Sequence, residues 1–288
     1  MAMDTFTAQN VRYLARPEGR VSYTVEGSGP LVVAIPGMGD LRSSYRELVA
    51  PLLAAGYRVA VMDLRGHGSS DTTFRTHGDI ATGQDLLALV GELGAPAVVL
   101  GNSMGAASAA WAAAEDPRAI AGLVFYGPLL RGAPSSSFAR AATRGLYRLA
   151  LARPWGGAFW ASFYRSLNKG TRAPWLEEHV SAIRSMLAEP GRLRSLRELA
   201  LQLDHSVVEE RLGDVTAPML AFVGALDPDY PNPAAESEWI ASLGAQPRLV
   251  EDAGHYPHAQ RPEVTVPGTL EFLDTLRDAT TGEWAARA

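Results

Sequence analysis

Two hydrophobic periods alternate along this chain. Short runs at 31–35, 59–62, 97–100, 120–126 and 219–223, together with 21–25 and 248–250, read as strands, and several are apolar at every position. A strand buried on both faces has that pattern, because helices cover a parallel sheet on either side. Between these runs, apolar residues recur with helical spacing over 43–55, 79–93, 104–115, 234–243 and 262–277. The alternation predicts an α/β fold built on a doubly wound, mostly parallel sheet. The last residues, 279–288, are expected to be a frayed tail.

The alternation stops once. Residues 128–213 carry helical patterns rich in Arg, Leu and aromatic residues, and no strand. They are expected to form an inserted helical cap over one end of the sheet, with 1–127 and 214–288 as the core. The segment holds 13 basic and 7 acidic residues, so it is cationic while the remainder is acidic. Three of the six tryptophans, Trp155, Trp160 and Trp175, fall within it. They are candidates to line a substrate pocket, or else they form the cap's own core. The arginines are either a solvated face or contacts for an anionic substrate.

Composition then narrows the chemistry. A chain of 288 residues can bury a full core as one large domain with an insertion. The absence of cysteine excludes disulfides, thiolate metal sites and a cysteine nucleophile. A net charge of −5 gives no whole-chain basic field for nucleic acid. The first residues lack an apolar signal core, and no run approaches 18 apolar residues. A soluble cytoplasmic protein with no membrane partner is therefore expected. There is no Walker loop, no His-Glu-x-x-His and no Gly-x-Gly-x-x-Gly after a strand, so neither metal nor organic cofactor is expected.

The strand-like run ending at Leu100 gives way to "GNSMG", and helix formers resume at once. Gly-x-Ser-x-Gly is a common string on its own; between a strand and a helix it is specific. The turn would expose the Ser103 hydroxyl beside the positive end of the following helix. Serine is a poor nucleophile alone and needs a base, and the base needs an orienting acid. Of six histidines, His255 in "EDAGHYPHAQRPE" follows the last strand-like run, with His258 as second choice. His67 reads as a turn residue, His77 and His179 as surface residues, and His205 as packed or hydrogen-bonded. The acid comes from "MLAFVGALDPDYP", where Asp227 follows the turn more closely than Asp229. The chain order Ser103, Asp227, His255 is that of the α/β-hydrolase arrangement.

The chain thus resembles a capped α/β-hydrolase over nearly its whole length outside the cap. "GNSMG" resembles that family's nucleophile elbow, "IPGMGD" its loop after the third strand, and "VMDLRGHGSSD" the next strand and turn. "GALDPDYP" resembles the acid loop and "AGHYPHAQRPE" the histidine loop. The resemblance implies an oxyanion hole of backbone N–H groups, by position those of Met38 and Met104. It implies a small-molecule substrate, with carboxylic esters or related acyl compounds as the first expectation. Carbon–carbon hydrolysis, lactone handling, perhydrolysis, or ligand binding with little turnover are the alternatives. Pro36 stands where many relatives have histidine, and Ser103 argues against families with an aspartate nucleophile. Meta-cleavage product hydrolases share "GNSMG", but this chain lacks their His-Gly-x-Gly-Pro-Gly loop, and Tyr256 rather than tryptophan follows His255.

Overall fold

The computed structural model describes residues 10–94, 96–132, 137–277 and 283–284. Its strands are β1 (Arg12–Arg16), β2 (Gly19–Glu26), β3 (Leu31–Ile35), β4 (Arg58–Met62), β5 (Ala97–Asn102), β6 (Ile120–Tyr126), β7 (Met219–Gly224) and β8 (Gln246–Val250). They form one sheet in the order β1-β2-β4-β3-β5-β6-β7-β8. β1 and β2 pair antiparallel at one edge, and β3 to β8 run parallel. The apolar runs end up where their composition requires. Along β3, Leu31, Val33 and Ile35 enter one core, while Val32 and Ala34 enter a second on the opposite face.

Helices α2 (Asp79–Leu93), α3 (Met104–Glu115) and α9 (Pro233–Ser242) cover the first face. Helices α1 (Arg46–Ala54) and α11 (Pro262–Leu276) cover the other, α11 following the single turn α10 (Pro257–Gln260). Both α2 and α3 run as the periodicity predicts: α2 keeps a continuous buried stripe, and α3 is buried on every face from Met104 to Ala114. The pattern at 43–55 resolves into a 3-10 turn, Arg42–Tyr45, followed by α1. β1 carries no sequence signal: only Leu14 of its five residues is buried, as an edge strand allows.

Between β6 and β7 there is no strand among the described residues. Instead come α4 (Ser137–Ala150), α5 (Gly156–Leu167), α6 (Leu176–Ala188), α7 (Arg192–Gln202) and the single turn α8 (Ser206–Glu209). α5, α6 and α7 build a third apolar cluster that includes Leu41, Tyr256 and Ala259. Those three residues follow β3 and β8, so this helical layer sits at the rim where the parallel strands end. That rim is where open α/β sheets bind ligands.

The expected frayed tail needs correction at Trp284; residues 279–282 and 285–288 lie outside the described residues. Trp284 is buried, stacks on Tyr57 at 5.5 Å and donates its indole N–H to Leu31 O at 2.9 Å. An indole that buries its rings and satisfies its one donor holds a chain end in place.

Candidate active site

β5 ends at Asn102 and α3 begins at Met104, so Ser103 alone makes the turn. Its φ of 55° and ψ of −123° lie outside the regions a serine ordinarily adopts. The flanking glycines explain the rest of the motif. A Cβ at Gly101 would stand 2.6 Å from Ala106 N, and one at Gly105 would stand 2.5 Å from Ile35 O. Only glycine lets strand, turn and helix approach so closely. Ser103 is 8% exposed, with its N–H bonded to Tyr126 O at 3.1 Å.

Asp227 and His255 come from the loops after β7 and β8. The Asp227 Oδ2 accepts a hydrogen bond from His255 Nδ1 at 2.7 Å, and both residues are buried. Asp229 N donates to the other Asp227 oxygen at 3.0 Å, which orients the carboxylate. His255 is held by its backbone on two sides: its N–H bonds Leu167 O at the end of α5, and its carbonyl accepts from Asn102 Nδ2 at 3.1 Å. Asn102 also donates to Tyr126 O at 2.8 Å. It therefore ties β5, β6 and the histidine loop together beside Ser103. Asn102 is a site residue that sequence reasoning missed; its only signal is a polar residue closing an otherwise apolar strand.

The loop after β3 touches the elbow. A Cβ on Gly37 would lie 3.0 Å from Ser103 Cβ. Gly37 and Asp40 close a turn through Asp40 N–H to Gly37 O at 3.3 Å, with Gly39 at a φ of +72°. Met38 is the second residue of that turn, and Met104 opens α3, so both expected oxyanion donors belong to segments in contact with Ser103. The Met104 side chain is buried in the first core, and Met38 packs between that core and the helical layer.

With this geometry in place, comparison with known proteins settles the lineage. The sequence profile of the alpha/beta hydrolase family matches residues 32–267. The chain belongs to the alpha/beta hydrolase family. A pimeloyl-[acyl-carrier protein] methyl ester esterase of Neisseria meningitidis is 27% identical over 252 residues, covering 84% of this chain and 92% of that protein. A 2-hydroxy-6-oxononadienedioate/2-hydroxy-6-oxononatrienedioate hydrolase of Pseudomonas putida is 35% identical over 156 residues, 51% of this chain and 54% of that protein. The chain thus aligns with about half of that relative's length. The solved structure of a thermophilic esterase from Thermogutta terrifontis superposes with a TM-score of 0.74 at 25% identity, covering 92% of this chain and 97% of that one.

In this alpha/beta hydrolase the imidazole of His255 faces a second carboxylate, with Nε2 lying 3.6 Å from Asp229 Oδ2. Among the described residues no hydrogen bond joins His255 to Ser103 Oγ. Burial opposes the charge on His255 most strongly, yet Asp227, Asp229 and the more distant Asp40 together outweigh it and raise its pKa to about 9. Burial also raises Asp229 above the usual carboxylate range, against the pull of His255. Asp227, Asp229 and His255 are also the one convergent set of potential metal-ligand atoms among the described residues, lying within 4.8 Å of one another. The short Asp227–His255 bond engages two of them in an orienting pair.

The other histidines divide cleanly. His258 is buried between the rings of Tyr45 and Tyr126, and burial lowers its pKa to about 3. His67 bonds Arg65 O through Nδ1 at 2.9 Å, and burial lowers its pKa to about 4. His205 bonds Asp79 at 2.9 Å, as expected where the helical segment returns to the sheet. The surface reading of His77 and His179 is corrected: both are buried, because α7 and α6 pack over the loops that meet them.

The tryptophans are placed differently from one another. Trp160 is buried and donates to Gly39 O at 3.1 Å. Trp175 donates to Glu47 at 2.7 Å beneath the Arg46 guanidinium. Trp155 is 53% exposed and donates to Leu149 O, which puts it on the outer surface rather than in a pocket wall. Several arginines of this segment are spoken for elsewhere: Arg165 pairs with Glu177, Arg192 and Arg194 bond Ser70 O and Thr72 O, and Arg211 pairs with Glu115.

Proposed function

We propose that the protein is a serine hydrolase acting on carboxylic esters or related acyl compounds of small-molecule size. The observation that carries this reading is the buried 2.7 Å pair of Asp227 with His255, tied through Asn102 to the backbone-strained Ser103. In its neutral form, His255 takes the Ser103 proton at Nε2 as Oγ bonds to the acyl carbon. Asp227 holds the imidazole by Nδ1 and stabilises the imidazolium. The carbonyl oxygen becomes an oxyanion and receives the N–H groups of Met38 and Met104; one such donor is worth about 3 kcal/mol in a transition state. As the intermediate collapses, the carbon–oxygen bond to the leaving alcohol breaks, and His255 returns its proton to that oxygen. Water then repeats the sequence on the acyl-enzyme. Catalytic hydrogen bonds commonly tighten only with substrate bound, so the resting orientation of His255 toward Asp229 is compatible with this route.

The esterase relatives from Neisseria and Thermogutta support ester chemistry over the alternatives. Residues 128–213 act as the cap in this reading, with α5 and α6 closing over the Met38 loop. The test is covalent labelling. A fluorophosphonate probe should modify wild-type protein at Ser103 and leave Ser103→Ala untouched, and p-nitrophenyl esters should be hydrolysed by wild type alone. Folded protein that neither labels nor turns over would end the hydrolase reading.

A further inference from the structure

Asp40 is fully buried, and three donors from three segments converge on its carboxylate. His179 Nε2 on α6 lies 2.6 Å from Oδ1, and Leu41 N–H reaches the same oxygen at 2.7 Å. The Tyr164 hydroxyl on α5 donates to Oδ2 at 3.2 Å. A carboxylate only accepts, so His179 donates through Nε2, while its Nδ1 pairs with the Ser43 hydroxyl at 3.1 Å. The rings of Tyr164 and Trp175 pack on the His179 imidazole at 5.6 and 5.4 Å. One residue back, Trp160 donates to Gly39 O, and its indole occupies the space a Cβ on Gly39 would need.

None of these groups moves a proton or touches the reacting atoms in the mechanism above. Burying a carboxylate, an imidazole and a phenol in one place is costly, and an apolar contact of equal volume would join α5 and α6 to the core as well or better. The cluster's position indicates what it does. Met38 stands between Gly37 and Gly39, in a turn closed by a single 3.3 Å bond. A peptide flanked by two glycines has little conformational preference of its own. Its direction must be imposed from outside the turn, and the bonds at Gly39 O and at the Asp40 carboxylate impose it.

We propose that Asp40, His179, Tyr164 and Trp160 are positioning residues that aim the Met38 N–H at the oxyanion and make that aim depend on the seating of α5 and α6. The inference rests on the serine-hydrolase reading above. Because the oxyanion forms in the tetrahedral intermediate and its flanking transition states and not in bound substrate, loosening the turn falls on kcat rather than on substrate binding. It also gives the helical layer a route into the chemistry: displacement of α6 withdraws His179 from Asp40 and releases the turn.

The experiment compares wild type with His179→Ala, His179→Gln and Tyr164→Phe in p-nitrophenyl ester hydrolysis, fluorophosphonate labelling rate and hydrogen exchange of the peptide spanning 37–40. The expected result for His179→Ala is a kcat lower by about 10²-fold with KM within twofold, slower labelling, and faster exchange at 37–40. His179→Gln, whose amide N–H can still reach Asp40, should recover much of the loss. Should His179→Ala fail to fold, Tyr164→Phe, which removes the hydroxyl bond to Asp40 Oδ2, replaces it as the loss variant, with the same direction expected in kcat and in exchange at 37–40. A kcat within threefold of wild type, or a loss expressed in KM with exchange at 37–40 unchanged, overturns the positioning role while leaving the hydrolase reading intact. A wild type without turnover or labelling removes both.

Discussion

His255 stands between two carboxylates, bonded to Asp227 at Nδ1 and facing Asp229 Oδ2 at 3.6 Å from Nε2. In the proposed mechanism the second carboxylate faces the nitrogen that takes the Ser103 proton. Asp229 thus stabilises the protonated ring that cannot act as a base.

The pH dependence of the reaction follows. His255 is a base only when neutral, and with a pKa raised to about 9 it is mostly protonated at neutral pH. We expect kcat/KM for a p-nitrophenyl ester to rise with pH toward about 9. Asp229→Asn removes one of the influences raising that value, so the rising limb should move to lower pH while Asp227 still orients the ring. Superimposable pH profiles for the two proteins would refute this role for Asp229.

Thermal stability should peak near the ordinary histidine range, because buried histidines pull in opposite directions. The folded state raises His255 from 6.5 to about 9, so its contribution is complete below 6.5 and disappears as pH climbs through about 9. His67 and His258 are lowered from 6.5 to about 4 and about 3, so their contribution is complete above 6.5 and is lost progressively as pH falls from there toward those values. A Tm series across pH 4 to about 9.5 should therefore fall on both sides, and His258→Phe should flatten the acid side. A Tm that climbs steadily to the alkaline end would contradict the His255 assignment.

Asn102→Ala leaves two buried carbonyls, of Tyr126 and His255, without their shared donor. The cost should be about 1–3 kcal/mol in urea unfolding. Ester turnover should drop as well, since the histidine loop loses its tie to β5. Loss of stability with full activity would show that the tie does not place His255.

Gly105→Ala puts a methyl group against Ile35 O and Pro36 O, backbone atoms at the end of β3 and the start of the loop that carries Met38. We expect a loss of about 1–3 kcal/mol and a marked fall in fluorophosphonate labelling. Ala at Gly91, where an added Cβ meets nothing within 4 Å, is the control and should label normally.

Much of this architecture was legible one residue after another. The doubly buried runs at β3, β5, β6 and β7 announced a covered parallel sheet, and α2 and α3 began and ended where their helical patterns did. The elbow was legible too, because its glycines answer to backbone contacts within a few residues of Ser103 and with the adjacent strand. β1 was not, since an edge strand with one buried side chain has no period to read.

What escaped the linear reading shares one physical cause. Burial of His179, the convergence of Leu41, Tyr164 and His179 on Asp40, the second carboxylate at His255 and the docking of Trp284 on Leu31 all join residues far apart in the chain. Periodicity reports how one element meets water, because that depends on neighbours three or four residues away. It carries no record of which loops meet across the rim of the sheet. Residue types and their order set the strands, the turn and the cast of reactive groups; only the packing of α5 and α6 against the strand ends decided which of those groups touch.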